Sequence, residues 1–413
     1  MSAESTKPIR LDREDDRFAR FRLIAWWDQE LLARSKVLVI GAGALGNELI
    51  KNLALLGIGR TLIADMDSIE ASNLSRSVLY RQADEGRPKA ATAARAAREI
   101  YPGMAAEAFA GDITTALGRG VFRWADVVLG GLDNREARLF TNRVCLQLGT
   151  PWVDGAIEAL QGVVRAFRLG DEACYECTLG ETDWKLLEAR RACSLLTRDE
   201  MLGGRTPTTP TTSAVIAGIQ CQEALKILHD LDGALFGRGY VFEGFFHQSY
   251  TVDYTRRPDC SSHELLELIA ETGCGRDDVT LGELRAMAAE LLDSHGFSVD
   301  DSLELDFGRD VIEALECADC ETSEEIFAPL GSLTEESARC SCGAGRAPRL
   351  RSRVSAEDTA LLERTPGELG LPPWDILVAR CGEAEVGLEL DGDRELVLGA
   401  LAEAREGVDG GEA

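Results

Sequence analysis

The segment Lys36–Asp65, KVLVIGAGALGNELIKNLALLGIGRTLIAD, limits what this chain can fold into more than any other. A continuous apolar run, Val37–Ile40, enters a turn holding Gly41, Gly43 and Gly46. A stretch of helical period follows to Leu56, and a second apolar run, Thr61–Ala64, ends in Asp65. Strand, tight turn, helix and parallel strand is the opening unit of a nucleotide-binding α/β sheet. The glycines let backbone N–H groups approach phosphate at a helix N-terminus, where the macrodipole favours anions. Asp65 is placed to accept hydrogen bonds from a ribose. NAD, FAD and ATP enzymes share this much, so the residues beyond Asp65 decide between them.

Asn73, Arg76 and Lys89 lie in a polar segment running from SNLSR to GRPK. A nicotinamide needs neutral surroundings, whereas cleavage of a triphosphate needs cations that offset charge building in the transition state. No GxxxxGK[ST] loop is present, so this is not a P-loop enzyme. Trp124–Leu129 reads as a further buried strand, and GLDNREAR follows it. Asp133 then sits at the carboxyl end of a parallel strand, where open α/β sheets hold their ligands. A carboxylate facing a triphosphate is repelled unless a cation lies between, so Asp133 is read as a Mg²⁺ ligand; the other reading is a cap on the helix from Glu136.

The chain has 413 residues, room for two or three domains, and a formal net charge of −27, which disfavours nucleic acid and anionic membrane surfaces. No signal peptide or membrane-length apolar run is evident, so the expectation is a soluble, cytoplasmic protein. Twelve cysteines in such a chain point to metal and thiol chemistry more than to disulfides. Cys174 and Cys177 form a CxxC, and Cys260 and His263 supply a CxxH far downstream; together they make a tetrahedral zinc set, with a redox pair as the alternative for the CxxC. Cys317 and Cys320, with Cys340 and Cys342 in a tighter CxC, read as a small zinc ribbon. Residues 17–34 read as an amphipathic helical lead-in, 88–101 and 136–149 as helices, and 178–205 as an irregular charged segment. Helical patterns recur at 212–229 and 279–294, and strand-like runs at SLELDF and within WDILVARCGEAEVGLELDGD.

The pattern GxGxxG, DxD (Asp65 and Asp67), SNLxR (Ser72–Arg76), GxPK (Gly86–Lys89) and DN (Asp133 and Asn134) resembles the adenylation domain of the ThiF/MoeB family, which includes the ubiquitin-activating enzymes. The resemblance covers about residues 17–263. It implies a mostly parallel, Rossmann-like α/β domain over 35–263 with a crossover loop at 178–211; beyond it, the residues of 264–413 themselves read as a smaller C-terminal α+β domain with the zinc ribbon. The resemblance implies ATP and Mg²⁺ as cofactors beside Zn²⁺, with Gly41, Gly43, Gly46, Asp65, Asp67, Asn73, Arg76, Lys89, Asp133 and Asn134 around the nucleotide. In the family an RxxR segment sends an arginine to the partner subunit's ATP; Arg20, with Arg17, matches it and implies a homodimer. A catalytic cysteine precedes the last helix in ubiquitin activators, and Cys193 occupies that place, against the alternative of an inert loop cysteine. The implied reaction is adenylation of a ubiquitin-like or sulfur-carrier protein ending in glycine. In the activator version a thioester on Cys193 and transfer to a conjugating enzyme follow, in the setting of a bacterial antiphage conjugation system; the sulfur-carrier version needs no thioester. The C-terminal region is read as a docking module or as a stability or dimerisation domain.

Overall fold

The computed structural model describes residues 16–192, 207–334 and 336–403. Its larger sheet has eight strands: β1 (Lys36–Ile40), β2 (Arg60–Ala64), β3 (Ala105–Phe109), β4 (Val127–Gly130), β5 (Trp152–Glu158), β6 (Gln161–Phe167), β7 (Arg238–Glu243) and β8 (Gln248–Asp253). They lie in the order β3-β2-β1-β4-β5-β6-β7-β8. β1 to β5 are mutually parallel, and β6, β7 and β8 each run antiparallel to the strand before. The apolar runs of β1, β2 and β4 are unbroken because both faces of a parallel sheet are covered.

The helices facing this sheet include α1 (Gln29–Arg34), α2 (Ala44–Leu56), α3 (Lys89–Ile100), α4 (Gly120–Trp124), α5 (Arg135–Gln147), α6 (Glu181–Ala192) and α7 (Pro210–Leu228). Successive strand residues point to opposite faces. Val37, Val39, Ile63 and Leu129 therefore meet Leu49 and Leu53 of α2, Ala93 and Ala97 of α3, and Ile216 of α7. Leu38, Ile40, Leu62 and Val128 meet Phe122 of α4 and Leu146 of α5 on the other face, together with three residues from the far end of the chain, Trp374, Leu398 and Leu401.

The second sheet comprises β9 (Ile269–Glu271), β10 (Glu304–Glu316), β11 (Ser323–Pro329), β12 (Ala347–Val354), β13 (Ile376–Cys381) and β14 (Ala384–Glu389). β12 flanks β10 along one edge, while β13 and then β11 share the other. α8 (Leu281–Ser294) packs on it and begins at a capping box, Thr280 with Glu283. The later helical and strand readings of the sequence match these elements, although SLELDF is only the start of the much longer β10.

Three local expectations are corrected. Residues 17–34 are turns and a 3₁₀ segment, Phe21–Leu23, before the six-residue α1, because their aromatic side chains pack sideways instead of along one helical face: Phe18 meets Tyr101, and Trp26 and Trp27 meet His229. Trp124 ends α4, and the strand begins only at Val127. Residues 181–192 are a helix, anchored by Leu187 in the core and by Asp183, whose carboxylate accepts from Arg135 Nε at 2.8 Å.

The two sheets join through buried charge. The Asp375 carboxylate is fully buried and accepts from the backbone N–H and Nε of Arg119, both at 2.9 Å, with Arg309 Nη2 at 3.2 Å. Burial alone would raise the Asp375 pKa, but the two guanidiniums outweigh it and hold the carboxyl below its ordinary value. Trp374 closes against Gly120, where an added Cβ would stand 2.4 Å from the indole nitrogen. Asp375→Asn is expected to cost roughly 3–5 kcal/mol at pH 7 by leaving buried cations without counter-charge, measured by urea denaturation. Since folding depresses this pKa, the deficit should hold above the ordinary carboxylate pKa of about 4 and shrink as pH falls through the lower folded value.

Candidate nucleotide crevice and cysteine clusters

The glycine turn is shaped for close approach. Gly41 has φ +91, and a Cβ at Gly46 would lie 1.8 Å from the Gly41 carbonyl oxygen, so the entry to α2 folds tightly over the end of β1. Gly43 is the N-cap of α2 and has no side chain to cap it, and among the described residues nothing lies within 4 Å of where a Gly43 Cβ would sit. The start of α2 therefore opens at Gly43 onto space in which a helix N-terminus can receive an anion.

Asp65, at the end of β2, accepts from the Ala42 N–H at 2.7 Å and from the Asp67 N–H at 2.8 Å. Burial raises its pKa, against the pull of Lys89 and these two N–H groups. Lys89, at the start of α3, sits with its ammonium 2.8 Å from Asp67. Tyr80 donates to the Ala42 carbonyl at 2.6 Å and reaches the Lys89 carbonyl at 3.3 Å, tying turn and lysine together. Arg76 is half-buried and donates to the Ser72 carbonyl at 2.6 Å. Asn73 is buried, and its Oδ1 accepts from the Glu70 N–H at 2.9 Å, so it holds the shape of this loop.

Beyond β4, the cap of α5 is Asn134, whose side chain accepts from the Ala137 N–H at 2.7 Å. Asp133 is therefore not the cap; it stays exposed, with the Asn134 amide 3.3 Å away. The structure brings the glycine turn, Asp65, Asp67, Lys89 and Asp133 to the carboxyl ends of β1, β2 and β4. Arg20 lies elsewhere: it is exposed, in a segment whose Phe18 and Trp26 pack at the C-terminal ends of α2, α3 and α7, by the amino ends of the parallel strands and opposite the crevice. Arg17 likewise bonds the Ile100 carbonyl there. Cys193 lies outside the described residues. Sequence reasoning passed over Asn47, whose amide donates to the Ala42 carbonyl at 2.6 Å and whose Oδ1 accepts from the Leu79 N–H at 2.9 Å. A buried asparagine directly after Gly46, on the core face of α2, was the available signal.

Two cysteine clusters form as the spacing suggested. In the first, Cys174 Sγ is 3.7 Å from both Cys177 and Cys260, and Cys177 Sγ is 3.3 Å from His263 Nε2. In the second, Cys317 is 3.6 Å from Cys342 and Cys320 is 3.5 Å from Cys340. Within each cluster all ligand atoms lie within 4.8 Å of one another. These separations are far beyond the roughly 2.05 Å of a disulfide and near the edge of about 3.8 Å of a tetrahedron with Zn–S bonds of 2.3 Å. Burial lowers the His263 pKa, which favours the neutral, ligating imidazole. The donor sets fit zinc.

The fold and crevice put the chain in the class of doubly wound α/β proteins whose ligand seat is a glycine turn at a helix N-terminus. The ThiF family model matches residues 16–262, and the chain belongs to that family. It is 32% identical over 238 residues to the SAMP-activating enzyme E1 of Haloferax volcanii, taking in 56% of this chain and 81% of that one. It is 31% identical over 237 residues to the sulfur carrier protein adenylyltransferase of Thermus thermophilus, taking in 56% and 83%. Among solved structures, E. coli MccB with ATP superposes with a TM-score of 0.51 at 20% identity, over 61% of this chain and 75% of that one, a likeness of fold.

Metal analysis of the purified protein is expected to find two zinc ions per chain. Cys260→Ser should lose one and Cys340→Ser the other. A single zinc that either substitution removes, or none, would show that these clusters are not independent metal sites.

Proposed function

We propose that this chain is an ATP-dependent activating enzyme that adenylates the C-terminal glycine of a ubiquitin-like protein and then carries it as a thioester on Cys193. The observation that carries this reading is the convergence of the uncapped α2 N-terminus, the Lys89–Asp67 pair and the exposed Asp133 on one crevice. The α2 N-terminus and Gly43 suit the phosphates, and Asp65 suits the ribose while it holds the turn. The carrier's terminal carboxylate attacks the α-phosphorus, the bond to pyrophosphate breaks, and an acyl-adenylate remains. Arg76 and Lys89 offset the charge that builds there. Asp133 and its neighbours would hold Mg²⁺, which neutralises the leaving phosphates. Attack by the Cys193 thiolate on the carbonyl then releases AMP and leaves the thioester for a conjugating enzyme.

Arg20 stands too far round its own sheet to serve its own crevice, which supports its supply by a second copy and a homodimer. The carrier's body has a ready surface. β7 and β8 meet at Phe245 and Phe246, exposed to 73% and 66%, beside Leu160 and Tyr250 at the crevice end of the sheet. An apolar rim of this kind marks a protein contact. The second sheet is suited to docking a conjugating enzyme, in a cytoplasmic conjugation pathway such as one used against phage. The comparable likeness to the Thermus enzyme favours a second reading, carrier adenylation for sulfur transfer without a thioester.

Carrier-dependent exchange of labelled pyrophosphate into ATP should fall by about 100-fold or more in Asp133→Ala and survive in Cys193→Ala. A thiol-labile carrier adduct absent only from Cys193→Ala supports the activator; exchange without any adduct selects the sulfur-carrier reading; no exchange with any glycine-ended carrier sinks both. Phe245→Asp should raise the KM for carrier and leave that for ATP unchanged.

A further inference from the structure

Arg138 of α5 is buried beside the crevice, yet its guanidinium faces the protein. Its Nε donates to Asp154 Oδ1 at 2.9 Å, and its Nη2 donates to the Leu132 carbonyl at 2.6 Å and the Gly155 carbonyl at 3.2 Å. Leu132 is the residue before Asp133. Asp154, on β5, is fully buried, and its Oδ2 accepts from Arg165 Nη2 at 2.5 Å. Arg165 continues outward: its Nη1 reaches Thr178 Oγ1 at 3.4 Å, and its guanidinium lies 5.0 Å from the centre of the Tyr175 ring. Tyr175 follows Cys174 and Thr178 follows Cys177, so this chain of contacts ends on the first cysteine cluster.

Burial alone would raise the Asp154 pKa, but the Arg138 and Arg165 guanidiniums outweigh it and keep the group a carboxylate. A buried Arg–Asp–Arg set is a poor source of stability, because apolar residues of like volume usually do as well. What such a set does supply is fixed geometry at defined backbone atoms, here the turn that presents Asp133.

The geometry points to Arg138 as a positioning residue: through Asp154 and Arg165 it locks the Leu132–Asp133 turn to the Cys174–Cys177 cluster and so sets the pose of the Asp133 carboxylate. This rests on Asp133 being a magnesium ligand in the reading above. Residues one step behind a metal ligand act on metal affinity more than on the rest of the site.

The test is the Mg²⁺ dependence of ATP binding, followed by calorimetry on the full chain for the parent, Asp133→Asn, Arg138→Lys and Arg165→Lys. Lysine keeps a cation beside Asp154 but lacks the planar fork whose Nε and Nη2 bridge Asp154 to the Leu132 and Gly155 carbonyls. Arg138→Lys is expected to raise the Mg²⁺ concentration for half-maximal ATP binding by about tenfold, with ATP affinity at saturating Mg²⁺ unchanged. A purely structural role would lower thermal stability and ATP affinity together and leave the Mg²⁺ midpoint in place, which overturns the inference. If Arg138→Lys does not fold, Arg165→Lys must move the midpoint in the same direction; an unmoved midpoint overturns it equally. Should Asp133→Asn move the midpoint while both lysine variants do not, the positioning role fails and the magnesium reading stands. Should Asp133→Asn itself leave the midpoint unmoved, the magnesium reading fails and takes this inference with it.

Discussion

The hydrogen bond from the Ala42 N–H to the Asp65 carboxylate is the contact on which the crevice depends. It fastens the turn after β1 to the end of β2, so two strands that are neighbours in the sheet become neighbours at the ligand seat. Lys89 and Asp67 are placed from the same corner, because the second oxygen of Asp65 accepts the Asp67 N–H and Asp67 pairs with Lys89. A short polar loop without this anchor would spread its N–H groups into water and present no concerted positive end.

Most of the crevice was legible in the chain because its parts are local. A run of four apolar residues, a glycine turn and an acidic residue at the next strand's end each state their structure within a few positions. The cysteine clusters were legible for a different reason: thiols and an imidazole at metal spacing have few other uses in a chain of this kind. The spacing of Cys340 and Cys342 still closes a compact set with Cys317 and Cys320.

What escaped the sequence was tertiary. Residues 17–34 carry the composition of an amphipathic helix, but Phe18 and Trp27 find aromatic partners on other elements and draw the backbone into turns. Asp133 and Asn134 are equal candidates for a helix cap by residue type, and only geometry shows that the amide takes that role. Arg119, Arg309 and Asp375 look like ordinary surface charges until the fold buries them together. Pairs so distant along the chain leave no periodic trace in one sequence.

Trp374, Leu398 and Leu401 complete the hydrophobic layer beneath β1 and β2. The larger sheet is thus sealed on that side by residues synthesised long after its own first strands. During translation the nascent chain carries a finished glycine turn above an unfinished, greasy underside, a state prone to association and suited to chaperone capture. Such distant pairings also slow folding. The C-terminal region that carries the second sheet is accordingly not a cassette that can be exchanged between activating enzymes, since removing Trp374, Leu398 and Leu401 with it would leave the first sheet open to water.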